Sequence, residues 1–147
     1  MSPFSVGTLA TIASMASQHH EALDRLRAEA AGFTDEPYLV TVTTELRPHC
    51  GVVTVDWDGP DSRLVVHAAS SWARSEASGH RQVTLLWPPP MPGGYSLIVD
   101  GLASTLEHEG DEILVAIAPT RAVLHRPGHA AVAGSACGSD CVPILSS

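Results

Sequence analysis

Residues 37–59 read PYLVTVTTELRPHCGVVTVDWDG, and this stretch decides the fold class. Valine and threonine alternate over residues 40–43, which is the period of two that a β-strand requires. Over residues 49–57 apolar and polar side chains alternate again, and Asp58-Gly59-Pro60 follows as a turn signal. The stretch therefore predicts two consecutive β-strands.

Downstream of this stretch, five more segments have strand character. Gly101 lies inside one of them and predicts a bulge or bend, while Pro119 separates the last two. The connections are mostly too short for crossover helices, so the strands must pair antiparallel. A sheet of this kind protects its edges best by curling into a barrel. We predict a mainly β fold, a six- to seven-stranded antiparallel barrel, whose further strands are residues 63–67, 82–87, 95–107, 111–118 and 121–125.

Two segments have helical character. In residues 8–31 the apolar side chains recur mainly at spacings of three and four, and Gly32 and Pro37 end the pattern. Residues 70–79 predict a short helix that begins at a serine and stops at Gly79. We predict an N-terminal helix (residues 1–36) packed on the barrel domain (37–127), followed by a loosely ordered C-terminal tail (128–147).

Length and composition narrow the class of protein. The chain has 147 residues, enough for one domain, and its formal net charge of −8 disfavours binding to nucleic acid or to an anionic membrane surface. The longest apolar run is far short of the roughly 20 residues that a membrane span needs. Three cysteines are too few for a disulfide framework, so we predict a reduced, cytoplasmic protein.

Motifs of hydrolases and nucleotide-binding proteins are absent from the sequence: G-x-S-x-G, G-x-x-x-x-G-K and G-x-G-x-x-G do not occur. Two histidines precede two cysteines near the C-terminus, at His125, His129, Cys137 and Cys141. A zinc site or a redox pair of the two cysteines is conceivable on chemical grounds. The spacing favours inert thiols, and we predict no metal site.

Three segments together resemble a known family. They are PYLVTVTTELRPHCGVVTVDWDG, RLVVHAASSWARSEASGHRQVTLLWPP and YSLIVDGLASTLE, and the likeness extends over residues 37–127. This succession resembles the flavin-binding split β-barrel proteins, also called pyridoxamine 5′-phosphate oxidase-like proteins. The resemblance implies a homodimer with FMN, or a related deazaflavin coenzyme, in a cleft between the two subunits.

The resemblance also implies where the cofactor binds. The phosphate would be held by the segment SSWAR, with hydroxyl groups from Ser70 and Ser71 and the charge of Arg74. A helix N-terminus with free N–H groups and a nearby cation is an anion site on physical grounds as well. The ring would lie near Thr54 and Val55, whose backbone amides would bond it, and Trp87 would stack on it or else pack in the core or dimer contact.

The function that this resemblance implies is that of an FMN-dependent oxidoreductase, which transfers a hydride to or from a small organic substrate. Such chemistry needs no dedicated catalytic side chain, and we identify none. Family members often carry a lysine immediately before the position of Arg74, where this chain has Ala73. Two alternatives follow: a deazaflavin-dependent reductase of the same fold, and a split barrel without cofactor that acts as a binding or interaction module.

Overall fold

The computed structural model describes residues 6–59, 63–68, 72, 79–109, 112–128 and 139–146. It shows one N-terminal helix followed by eight β-strands that all pair antiparallel, which confirms the predicted fold class. The predicted short helix at residues 70–79 lies outside the described residues, apart from Trp72 and Gly79. The elements are α1 (Val6–Ala30), β1 (Tyr38–Val42), β2 (Pro48–Val52), β3 (Thr54–Asp58), β4 (Arg63–Ala68), β5 (Gln82–Trp87), β6 (Ser96–Glu109), β7 (Glu112–Pro127) and β8 (Ser139–Ser146).

The sheet closes on itself where β2 passes into β3. The strand order is β2-β1-β5-β6-β7-β4-β3, so two strands that follow each other in the chain form the two ends of the path. Val53 joins them, and its N–H donates to Pro37 O at 3.0 Å. The single strand predicted at residues 49–57 is therefore wrong. The alternation of side chains continues through Val53 because Val53 and Val55 both face the core, so the pattern hides the bend.

A bulge interrupts the pairing of β6 with β7. The pairing register shifts between Asp100 and Gly101, which confirms the predicted irregularity, and Gly101 pairs with Pro119. The two strands predicted at residues 111–118 and 121–125 are one strand. Proline has no N–H to donate, but here it lies at the shift, where the ladder is already interrupted. The hydroxyl of Thr120 donates to Asp100 O at 3.2 Å and partners the carbonyl group there.

The last described strand, β8, lies in the segment predicted as a loosely ordered tail, and that prediction is wrong for residues 139–146. Among the described strands β8 pairs with β7 alone, so it is an edge strand. Pro143 is compatible with such a position, because an edge strand leaves some N–H groups without a partner strand. The glycines, alanines and serines that precede β8 in the sequence obscure its strand character.

The core fills the barrel interior and one side of α1. The first half of α1 is exposed from Leu9 to Glu21, and the second half packs through Leu23 and Leu26. In the described part of the chain, no helix combines the length and apolar character needed to cross a membrane. The most deeply buried apolar side chains include Leu26, Leu64, Val66, Leu85, Leu97, Val99, Val115 and Ile117.

Candidate functional site

An open polar surface lies on the outer face of β3 and β4. Thr54 pairs with His67 across the two strands, and Thr54 is exposed while the next residue, Val55, is buried. His67 Nε2 lies 3.4 Å from Asp56 Oδ2. Because the Asp56 side chain is 71% exposed, water screens this pair and it stabilises the fold little. The two side chains instead place an imidazole and a carboxylate on the outer face of the sheet, where a ligand can contact them.

Strand β4 ends at Ala68, two residues before the segment predicted to hold a phosphate. Ser70, Ser71 and Arg74 lie outside the described residues. Trp72, in the middle of that segment, is 1% exposed, and its Nε1–H donates to Thr105 Oγ1 at 2.9 Å. A buried indole with a satisfied N–H is a firm anchor. Trp72, two residues before Arg74 in the sequence, is thus bonded to β6.

Two of the residues predicted to contact a flavin ring face the inside of the barrel. Val55 and Trp87 line a pocket of about 260 Å³ beneath the C-terminal half of α1. Trp87 is buried, and its Nε1–H donates to Thr34 O at 2.9 Å. The N–H of Val55 donates to Asp35 O at 3.0 Å. This geometry supports the interpretation that Trp87 packs in the core. The amide of Val55 is already used in a backbone hydrogen bond within the fold.

The three residues predicted to contact the ring therefore do not share one face of the sheet. Successive residues of a strand point to opposite faces, so the side chain of Thr54 lies outside the barrel while those of Val55 and Trp87 lie inside. The pocket beneath α1 is also smaller than the usual range of about 300–1,000 Å³ for ligand pockets. Of the three residues, only Thr54 presents its side chain on the outer surface of β3 and β4.

A larger groove, which the sequence did not reveal, runs over β1, β5 and β6. Its volume is about 560 Å³. Asp100 lies in it and is held from two sides, because Thr84 Oγ1 donates to Asp100 Oδ1 at 2.7 Å and Arg121 Nη1 lies 2.9 Å from Asp100 Oδ2. The available signal was an aspartate that directly follows the apolar run at residues 97–99. The apolar walls of the groove include Val40, Val42 and Leu102.

The cysteines and histidines form no metal centre in the part of the chain that the structure describes. No three His, Cys, Asp or Glu side chains there lie close enough to hold a metal ion. Cys50 and Cys141 are both exposed. His129 and Cys137, the other two members of the predicted group, lie outside the described residues.

Comparison with known proteins gives two relatives in sequence. No family profile matches the chain. The uncharacterized protein Mb0449c of Mycobacterium bovis and the uncharacterized protein MT0457 of Mycobacterium tuberculosis are each 39% identical to it over 130 residues. Each alignment covers 80% of this chain and 92% of the relative, so the likeness includes nearly the whole of both mycobacterial proteins.

Comparison with solved structures confirms the split β-barrel fold of pyridoxamine 5′-phosphate oxidase-like proteins. The "Putative Pyridoxamine 5′-phosphate oxidase" of Listeria innocua has a TM-score of 0.55 at 19% identity, over 71% of this chain and 98% of its own. A heme binding protein from Mycobacterium smegmatis has a TM-score of 0.55 at 16% identity, over 84% and 57%. General Stress Protein 26 of Bacillus anthracis has a TM-score of 0.54 at 12% identity, over 81% and 98%.

Proposed function

The chain belongs to the family of the mycobacterial proteins Mb0449c and MT0457. From its split β-barrel fold we propose that it is an FMN-binding oxidoreductase. It transfers a hydride to or from a small organic molecule. The observation that carries this proposal is the buried Trp72, which lies between Ser71 and Arg74 in the sequence and whose indole N–H bonds Thr105 of β6.

The phosphate of FMN binds at the SSWAR segment. Ser70 and Ser71 supply hydroxyl donors and Arg74 supplies the positive charge, a donor set suited to a phosphate group. Arg74 carries this charge alone in the segment, because Ala73 occupies the position where related proteins often have a lysine. Trp72 is itself bonded to β6, and a fixed residue within a binding segment reduces the entropic cost of ligand binding.

The ring of the cofactor lies over the outer face of β3, beside Thr54. The imidazole of His67 and the carboxylate of Asp56 flank this position and supply polar contacts. FMN, when bound, supplies the hydride-transfer chemistry. The residues of the chain bind the phosphate, orient the ring and set the charge around it.

The protein acts as a homodimer in this proposal, and the partner subunit covers the ring. The groove of about 560 Å³ over β1, β5 and β6 is a surface with room for such a contact. It combines apolar walls at Val40, Val42 and Leu102 with the polar group of Asp100 and Arg121. Covering the ring with a second subunit excludes water from the reacting atoms, which strengthens electrostatic contacts there.

The proposal is tested by titrating FMN into the purified protein and following the quenching of its fluorescence. Arg74→Ala removes a charge-assisted contact worth about 1.5–3 kcal/mol, so the Kd for FMN rises roughly 10- to 150-fold. Arg47→Ala is the matched control. Arg47 is an exposed arginine in the β1–β2 turn, 3.2 Å from Glu45, and its loss leaves the Kd unchanged.

Three results would contradict the proposal, and each identifies a different alternative. A colourless protein that does not quench FMN is a binding module without a flavin. Binding of a deazaflavin coenzyme in preference to FMN identifies the deazaflavin-dependent reductase. Binding of hemin with no binding of FMN assigns the chain the same class of ligand as the heme binding protein of M. smegmatis.

A further inference from the structure

The pocket beneath the C-terminal half of α1 has an aromatic lining. Its volume is about 260 Å³, and Phe33, Trp57 and Trp87 all line it. Trp87 and Val55 are buried, while Phe33 and Trp57 are half-buried. The indole N–H of Trp87 and the amide of Val55 are both used in hydrogen bonds within the fold. The buried side of the pocket therefore offers apolar surface to a ligand.

The volume of this pocket limits the size of the ligand that it can hold. A dry cavity of about 150 Å³ is enough for benzene, so about 260 Å³ has room for one aromatic ring with a short substituent. Aromatic rings in offset-stacked or edge-to-face contact attract each other beyond the effect of the area that they bury. The lining therefore favours a ligand with a single aromatic ring.

Two residues of opposite charge line the same pocket. Arg27 of α1 and Asp35 are both exposed, so they lie where the pocket opens to solvent. Neither forms an ion pair with the other, or with any further residue that the structure describes. The guanidinium of Arg27 instead lies over the ring of Trp57, with Cζ 5.9 Å from the ring centre. The pocket thus combines an apolar floor with an opening that carries one positive and one negative charge.

We propose that this pocket binds a small zwitterion with one aromatic ring, the chemical class of the aromatic α-amino acids. The ring of the ligand packs against Trp57 and Trp87. The ligand carboxylate accepts hydrogen bonds from the guanidinium of Arg27, and the ligand ammonium donates to the carboxylate of Asp35. A ligand of the same size with only one charge makes one of these contacts and is repelled by the other residue. The pocket therefore selects a ligand that carries both charges.

The experiment titrates L-phenylalanine into the isotope-labelled full chain and follows the indole N–H signals by NMR. The chain has three tryptophans, of which Trp57 and Trp87 line the pocket and Trp72 does not. We expect the signals of Trp57 and Trp87 to shift with the ligand and that of Trp72 to stay in place. Phenylpropanoate, which lacks the ammonium, and phenethylamine, which lacks the carboxylate, bind about three- to tenfold more weakly, as the loss of a partly exposed charged contact predicts.

Two variants test the two charges separately. Arg27→Gln weakens the binding of L-phenylalanine about three- to tenfold and does not weaken that of phenethylamine. Asp35→Asn weakens L-phenylalanine to a similar degree and does not weaken phenylpropanoate. The controls are Arg25→Gln and Asp24→Asn, which remove exposed charges of α1 outside the pocket and leave the affinity for L-phenylalanine unchanged. An unchanged Tm in each variant shows that the fold is preserved.

A third variant, Ala31→Phe, places a ring on an exposed residue that lines the pocket and abolishes the binding of L-phenylalanine. The proposal is overturned if millimolar L-phenylalanine leaves the signals of Trp57 and Trp87 unshifted, or if binding survives Ala31→Phe. Equal affinities for the three ligands would overturn it as well, because the ring alone is then recognised. The proposal does not depend on FMN, so a failure here leaves the proposed function standing.

Discussion

The hydroxyl of Tyr95 donates a hydrogen bond to Asp140 Oδ2 at 2.5 Å, which ties the residue before β6 to the start of β8. Arg126 of β7 joins the same group. Its Nη2 lies 2.9 Å from Asp140 Oδ2, and its guanidinium stacks 4.5 Å from the centre of the Tyr95 ring. The carboxylate of Asp140 thus contacts both a phenol and a guanidinium, and it connects β8 to β7 and to the residue before β6.

This contact makes the stability of the fold depend on pH at both ends of the scale. The hydrogen bond from Tyr95 lowers the pKa of Asp140 below its ordinary value of 3.8, and the bond to Asp140, with burial, raises the pKa of Tyr95 above 10.0. The Asp140 contribution is complete above pH 3.8 and is lost as the pH falls through the lowered pKa. The Tyr95 contribution is complete below pH 10.0 and is lost as the pH rises through the raised pKa.

Tyr95→Phe removes this hydrogen bond and keeps the aromatic ring for Arg126. We expect a lower Tm than that of the parent chain between about pH 4 and pH 10. The difference in Tm should shrink below and above that range, because the parent chain then loses the same contribution. Calorimetric melting curves across the pH scale test this. Tyr38→Phe, at an exposed tyrosine on β1, serves as the control and should show no such profile.

The architecture of the barrel could be predicted because most of its strands show the two-residue alternation of apolar and polar side chains in the sequence. What could not be predicted depends on distant partners. Pro119 in the sequence predicts a strand break. In the structure Pro119 pairs with Gly101 at a register shift, and the strand continues through it. The bend at Val53 is invisible because Val53 and Val55 keep the alternation of the core face. For the site, strand alternation alone places Thr54 and Val55 on opposite faces, but the pocket that Val55 and Trp87 line depends on how α1 covers the barrel.

The close packing at Gly101 gives a second prediction. A Cβ atom on Gly101 would lie 2.6 Å from Ile117 Cγ2 and 2.7 Å from Ala118 O. Gly101→Ala should therefore destabilise the fold by about 1–3 kcal/mol, since backbone atoms must move to make room. Denaturant unfolding measures this. Gly59→Ala is the control, because a Cβ there meets nothing within 4 Å, and equal stability losses in the two variants would contradict the prediction.

The anchor of the phosphate-binding segment gives a third prediction. Trp72→Phe keeps most of the buried apolar surface but loses the hydrogen bond to Thr105, at a cost of about 0.5–1.5 kcal/mol in unfolding free energy. It should also weaken FMN binding, because Trp72 lies between Ser71 and Arg74 and loses its bond to β6. Trp87→Phe loses a comparable hydrogen bond to Thr34 O and should reduce stability without affecting FMN affinity. A weaker affinity in Trp87→Phe alone would identify Trp87 as a ring contact.

The outer face of the barrel gives a fourth prediction, on the homodimer. Tyr38, Val52, Leu102 and Leu106 are 39%, 58%, 44% and 43% exposed, although they are large and apolar. Apolar surface left on a folded chain favours association with another copy, and Leu102 also lines the groove of about 560 Å³. Leu102→Glu should shift the protein from dimer to monomer in light scattering, since it places a buried charge in the contact and like charges face each other across a twofold axis.

The control for this change is Met91→Glu, which adds the same charge to a side chain that is 72% exposed in the β5–β6 connection. It should leave the dimer intact. Because the partner subunit covers the ring in the proposed site, the Leu102→Glu monomer should also bind FMN more weakly, while Met91→Glu binds it as the parent chain does. A parent chain that is monomeric at tens of micromolar, or a Leu102→Glu variant that remains dimeric, would contradict the assignment of this face. If Leu102→Glu is monomeric and binds FMN with unchanged affinity, the cofactor site lies within one subunit.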